Sequence, residues 1–177
     1  MSEENSGVLG LATKATESLL YLLMLAITTL VFVQVILRYV LRAPLMGIEE
    51  LLLFPTVWLY MLGGVNASAQ RTQIVCRVLE IFFKTRRPIA FIRMAGSVIS
   101  VIVAAWLTYW AYDYLLYALR VPRVSATLYI PLIYAESAVF FCMVLITFYT
   151  ALEANYYRDL LGKPEDVLKQ VIHTEKD

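Results

Sequence analysis

Two carboxylates interrupt long apolar runs that are otherwise free of charge: Asp113, within residues 94–119, and Glu136, within residues 124–152. A charge in hydrocarbon is costly, so an acid at membrane depth marks either a paired structural site or a proton relay. Asp113 lies about 28 Å along its run at the usual helical rise. That places it near one interface, where a solvated or arginine-paired carboxylate is expected. Glu136 lies about 12 Å into its run if the helix starts near Leu128, deep enough to need a partner or a polar cavity. A structural carboxylate is the expectation here, with proton relay as the alternative.

The densest polar cluster surrounds the break between the first two apolar runs: Gln34, Arg38 and Tyr39, then Pro44, then Glu49 and Glu50. Arg38 closes one run and the two glutamates open the next, so opposite charges meet at one membrane face. Carboxylates at a helix N-terminus also suit the helix dipole. An ion-paired helical hairpin and a contact surface for a partner both fit these residues.

Other chemistries lack their residues. Haem held by two histidines needs a facing pair, and the chain has one histidine, His173. Buried hydrolytic or acyl-transfer chemistry needs a nucleophile with a base, and no such constellation is visible. Cys76 and Cys142 have no metal-ligand or CxxC spacing, so free thiols and no metal are expected. With a net charge of +1 and no dense basic cluster, nucleic acid is not an expected partner.

The elements that carry these residues follow from charge placement. The 177-residue chain is 60% hydrophobic and 16% charged, with a mean hydropathy of +0.70, whereas soluble domains carry about a quarter charged residues. A helical span needs about 20 mainly apolar residues. Four runs qualify, over residues 18–37, 51–70, 94–119 and 124–152. The first is longer than a secretory-signal core and lacks a small-residue cleavage site, so it is read as retained. Continuous rather than alternating apolarity excludes a lipid-facing β-barrel. The fold class expected is all-α integral membrane, with four transmembrane helices between tails at 1–17 and 153–177.

Orientation follows from the basic residues. Arg71, Arg77, Lys84, Arg86, Arg87 and Arg93 lie between the second and third runs. That connection is expected in the cytoplasm, and both termini with it, leaving only Arg38, Arg42, Arg120 and Arg123 outside. Within the same connection, Ile74, Val75, Val78, Leu79 and Phe82 share one helical face. A helix over about 73–85, lying in the interface and ended by Pro88, is expected. A bent continuation of the second span is the alternative.

Small residues at contact spacing, Gly63 with Ala67, Gly64 with Ser68, and Gly96 with Ser100 and Ala104, predict close helix approach. For the third span, packing within the chain is the expectation. No internal repeat is visible, so the inverted-repeat pattern of many self-sufficient carriers is missing.

Taken in order, Gln34-Val35, Arg38-Tyr39, Pro44, the Glu49-Glu50 pair, Trp58, Gly63-Gly64 and Arg71 resemble the DctQ-like small permease subunits of tripartite ATP-independent periplasmic (TRAP) transporters. Length, four spans and cytoplasmic termini extend the resemblance from about Lys14 to Leu161. Many relatives carry tryptophan ahead of the glutamate pair, where this chain has Gly47 and Ile48, and often a histidine and an aspartate where Gln73 and Arg77 stand. The resemblance implies a non-catalytic scaffold in the bacterial or archaeal inner membrane, without cofactor or substrate site of its own. It implies a large permease subunit holding substrate and sodium, and a periplasmic binding protein that delivers an organic acid. A membrane anchor for a redox complex and a stand-alone proton-coupled carrier using Asp113 and Glu136 are the alternatives.

Overall fold

The computed structural model describes residues 3–42, 46–70 and 86–161. Four helices occupy them: α1 (Glu3–Tyr39), α2 (Met46–Gln70), α3 (Arg86–Arg120) and α4 (Ile133–Leu161). Among the described residues there are no strands, only an isolated bridge between Val124 and Pro131. Each helix contains a stretch long and apolar enough to span a bilayer: Gly10–Tyr39, Gly47–Gln70, Phe91–Arg120 and Ile133–Asp159. Helices are the form such runs must take, because lipid offers backbone groups no hydrogen-bond partners. The chain is a multi-pass membrane protein.

The helices overrun or fall short of the apolar runs where local chemistry dictates. α1 starts at Glu3, well ahead of the first apolar run, and α4 continues past Leu152 to Leu161, with Arg158 in its last turn facing the negative end of the helix dipole. α3 ends at Arg120 because Pro122 follows and disfavours helix in the residue before it. Pro88 falls in the first turn of α3, where the missing donor costs nothing, rather than ahead of the helix. α4 starts only at Ile133: the apolar residues 124–132 are a loop, not the beginning of the fourth span. Pro55 stands inside α2, leaving the Leu51 carbonyl without its usual helical donor. The interfacial helix expected at 73–85 lies outside the described residues, as do Pro44, Arg71, Cys76 and His173.

The principal packing is α1 on α2, α2 on α4 and α4 on α3, so the helices form a row with α1 and α3 at its edges. α3 and α4 make the most extensive pair. Ala104, Ala111 and Ala118 recur every seven residues along α3 and are buried, as are Ala135 and Ala138 on α4. Small side chains let two backbones approach closely, which substitutes for the hydrophobic drive that lipid removes. Between the alanines, the Thr108 hydroxyl lies 2.8 Å from that of Thr147 and 3.2 Å from the Met143 carbonyl. Gly96 and Ser100 are not part of this seam. Both are exposed, and a Cβ at Gly96 would meet nothing within 4 Å. The seam follows Ala104, Ala111 and Ala118 in sevens, not Gly96, Ser100 and Ala104 in fours.

On α2 the small residues divide. A Cβ at Gly64 would meet the Ile146 side chain at 3.4 Å and Ser68 is buried, so this pair faces α4. Gly63 faces open space. The core sits where α1, α2 and α4 meet, with Leu62, Val65 and Cys142 buried among Leu20, Leu23, Trp58 and Ile146. Cys142 is a free, buried thiol. A smaller cluster around Tyr157, Met94 and Leu161 closes the far end of the α3–α4 pair.

Candidate partner-contact site at the hairpin end

The α1–α2 and α3–α4 connections lie at one end of the row, here termed the hairpin end, because Glu50 of α2 reaches the loop at 125–128 directly. Its carboxylate accepts hydrogen bonds from the Ser125 hydroxyl, the Thr127 amide (3.0 Å to each oxygen), the Thr127 hydroxyl (2.9 Å) and the Leu128 amide (3.1 Å). A carboxylate offers about four lone-pair sites, so this one is filled. The loop is tight in itself: the Ser125 amide donates to Ile130 (2.9 Å) and the Leu132 amide to Arg123 (2.9 Å). Tyr129 takes a left-handed conformation at φ 56°, uncommon for a residue with a side chain. Gly47 makes room for this docking, since a Cβ there would lie 3.0 Å from Leu128 Cδ2. A cavity of about 240 Å³ remains between Leu53 and Phe54 of α2 and Val124 and Leu132 of the loop.

The neighbouring polar side chains tie the other elements together. Gln34 Nε2 donates to Glu49 Oε1 at 2.8 Å, joining α1 to α2. Trp58 Nε1 donates to the Tyr134 carbonyl at 2.9 Å, joining α2 to the first turn of α4. Arg123 Nη2 pairs with Glu136 Oε1 at 2.6 Å and lies 3.5 Å from the Tyr114 hydroxyl, with its guanidinium over the Tyr117 ring. Loop, α3 and α4 therefore meet on one arginine.

The two glutamates thus have different tasks, and neither pairs with Arg38. Among the described residues, the Arg38 guanidinium contacts only the ring of Tyr39, 5.8 Å from its centroid. Gln34, one turn earlier on α1, takes Glu49 in its place, and Glu50 bonds the loop instead. Glu136 sits in the first turn of α4 rather than deep within a span, because α4 starts late. Its partner is Arg123. Asp113 is exposed on α3 and has no partner among the described residues. Gly63, Gly64 and Trp58 lie farther along α2, away from the loop at 125–128.

Sequence reasoning missed Ser125, Thr127 and Arg123 as members of the site. Pro122 and Pro131 bracket that loop and were the available signal, since each disfavours helix at the residue before it. The run's apolarity concealed them.

A family model described as "Tripartite ATP-independent periplasmic transporters, DctQ component" matches residues 27–161. This chain belongs to that family. The match reaches from the middle of α1 to the end of α4, so it takes in Gln34, the glutamate pair, the 121–132 loop and both members of the Arg123–Glu136 pair. Comparison with curated proteins finds no match. As a DctQ component the chain is part of a transporter, and its hairpin end is the most heavily cross-linked part of the row.

Proposed function

We propose that this chain is the small, non-catalytic membrane subunit of a TRAP-type secondary transporter. It scaffolds a large sodium-coupled permease subunit that takes up an organic acid delivered by a periplasmic binding protein. It lies in the inner membrane of a bacterium or archaeon, with both termini in the cytoplasm and the hairpin end toward the periplasm. The observation that carries this reading is the family match over residues 27–161. The side-chain bonding agrees with it: Glu49, Glu50 and Glu136 are each bound to another part of this chain, as a rigid support requires. A neighbour that moves during transport needs a support that keeps its shape, and polar ties at one end of a helix row supply that.

Co-expression with a large apolar TRAP-type permease subunit, affinity purification through this chain and reconstitution into vesicles test the proposal. The two subunits should purify together. Uptake of labelled organic acid should require both, a sodium gradient and the binding protein. Uptake by this chain alone, or purification without the larger subunit, overturns it.

A further inference from the structure

From the α3 face opposite α4, we infer that the edge helix α3 docks against a membrane-spanning helix that carries a basic side chain level with Asp113. The inference rests on the transporter reading in taking that helix to belong to the large permease subunit.

α3 turns Ala104, Ala111 and Ala118 toward α4. The opposite face, read at helical spacing, holds Ile99, Ile102, Trp106, Trp110, Asp113 and Tyr117. All six are exposed, Trp106 by 62% and Trp110 by 58%. For the apolar members alone, lipid is a sufficient neighbour. Asp113 and Trp106 have polar groups that lipid cannot satisfy. Trp106 lies at the middle of the apolar stretch Phe91–Arg120, and Asp113 lies roughly 11 Å from that middle by helical rise. The hydrocarbon half-thickness is about 15 Å, so both are within it. Among the described residues, neither the Asp113 carboxylate nor the Trp106 indole N–H has a hydrogen-bond partner. Tryptophans of an interfacial belt keep their polar edge at the headgroups, and Trp106 is too deep for that role.

The opposite edge of the row lacks this feature. α1 has its mid-span Thr28 and Thr29 hydroxyls bonded back to Met24 and Leu25, and its Gln34 bonded to Glu49. Facing lipid leaves none of those groups unsatisfied. α3 is therefore the edge with something to gain from a protein neighbour, and a carboxylate at that depth selects a lysine or arginine. A second copy of this chain is a poor occupant. Two copies related by an axis along the membrane normal present the same depth to each other, which brings Asp113 toward Asp113.

The test uses the full chain co-expressed with the large permease subunit. A photo-crosslinking amino acid replaces Trp110 in one variant and Phe32, exposed on α1, in another. Separately, Asp113→Lys, Asp113→Asn and Asp113→Glu are compared with wild type by the amount of large subunit recovered, each variant first shown to elute as a single species. The expected result is an adduct with the large subunit from position 110 and none from position 32. Recovery should fall roughly tenfold or more for Asp113→Lys, and Asp113→Glu should retain it, because the basic partner must otherwise meet a like charge. An adduct from position 32 alone, a dimer of this chain from position 110, crosslinks to lipid only, or wild-type recovery for Asp113→Lys each overturns the inference. Failure of the wild-type chain to recover the large subunit at all also rejects the transporter reading beneath it.

Discussion

Replacing Arg123 should damage this protein more than replacing the acid it pairs with. The Glu136 side chain is 9% exposed and that of Arg123 is 44% exposed, across a contact of 2.6 Å. Exposed ion pairs contribute about 0.2–1 kcal/mol, whereas stranding one member of a fully buried pair costs about 3–5 kcal/mol. Arg123→Ala leaves the buried member stranded, but the pair was half in solvent, so a loss of about 2 kcal/mol is expected, between those limits. Glu136→Gln leaves an exposed guanidinium free to turn to water, and the amide oxygen can still accept its hydrogen bond. That variant should lose less than about 1 kcal/mol. At roughly 2–4 °C per kcal/mol for a chain of this size, the melting temperature should drop by about 4–8 °C for Arg123→Ala and by less than about 4 °C for Glu136→Gln. Size-exclusion chromatography of heated, detergent-solubilised protein measures both. Equal losses, or a larger loss for Glu136→Gln, would refute the argument from unequal burial. Transport by the full complex should survive Glu136→Gln, and abolished transport with normal assembly would restore the proton-relay reading.

Three further outcomes are expected. Thr108→Val and Thr147→Val should show a coupling energy of about 0.6 kcal/mol in a double-mutant cycle, the usual value for one hydrogen bond between membrane helices, and no coupling would mean that the two hydroxyls do not bond each other. Glu50→Ala should speed hydrogen exchange at the Thr127 and Leu128 amides while leaving α1 amides unchanged, and unchanged exchange in the loop would remove Glu50 from its support. A cysteine at Ala43 should react with an impermeant reagent from outside the cell, and one at Thr85 only after the inner face is opened; the reverse pattern would invert the topology.

The four helices were legible because long uncharged runs admit no other structure in lipid. Their ends were less so. Residues 124–132 are as apolar as a span, and hydropathy cannot distinguish apolar side chains of a membrane helix from those of a loop that lines a cavity with Leu53 and Phe54. The two prolines carried that information. At the hairpin end, residue types announced a polar cluster but not its wiring. Arg38 and the glutamates are close in sequence and opposite in charge, yet Glu49 takes Gln34 and Glu50 takes backbone amides from a loop far along the chain. Backbone donors have no sequence signature, so a carboxylate that caps a distant turn is invisible until the fold is known. The α3–α4 seam failed for another reason: the fourfold series Gly96, Ser100, Ala104 and the sevenfold series Ala104, Ala111, Ala118 share Ala104, and only the position of α4 decides between them.

The Glu50 bonds also impose an order on biogenesis. Ser125 lies 75 residues after Glu50, so when α1 and α2 leave the ribosome the loop that will receive this carboxylate has not been made. Gln34 can already engage Glu49 at that stage, and the first helical hairpin can close alone. Glu50 must wait at the membrane surface, held by water, until α3 and α4 have entered as a second hairpin and their loop has turned. Exchange of those waters for four protein donors then accompanies the packing of α2 on α4 that joins the halves. A chain truncated before Ser125 keeps the Glu50 carboxylate without these donors.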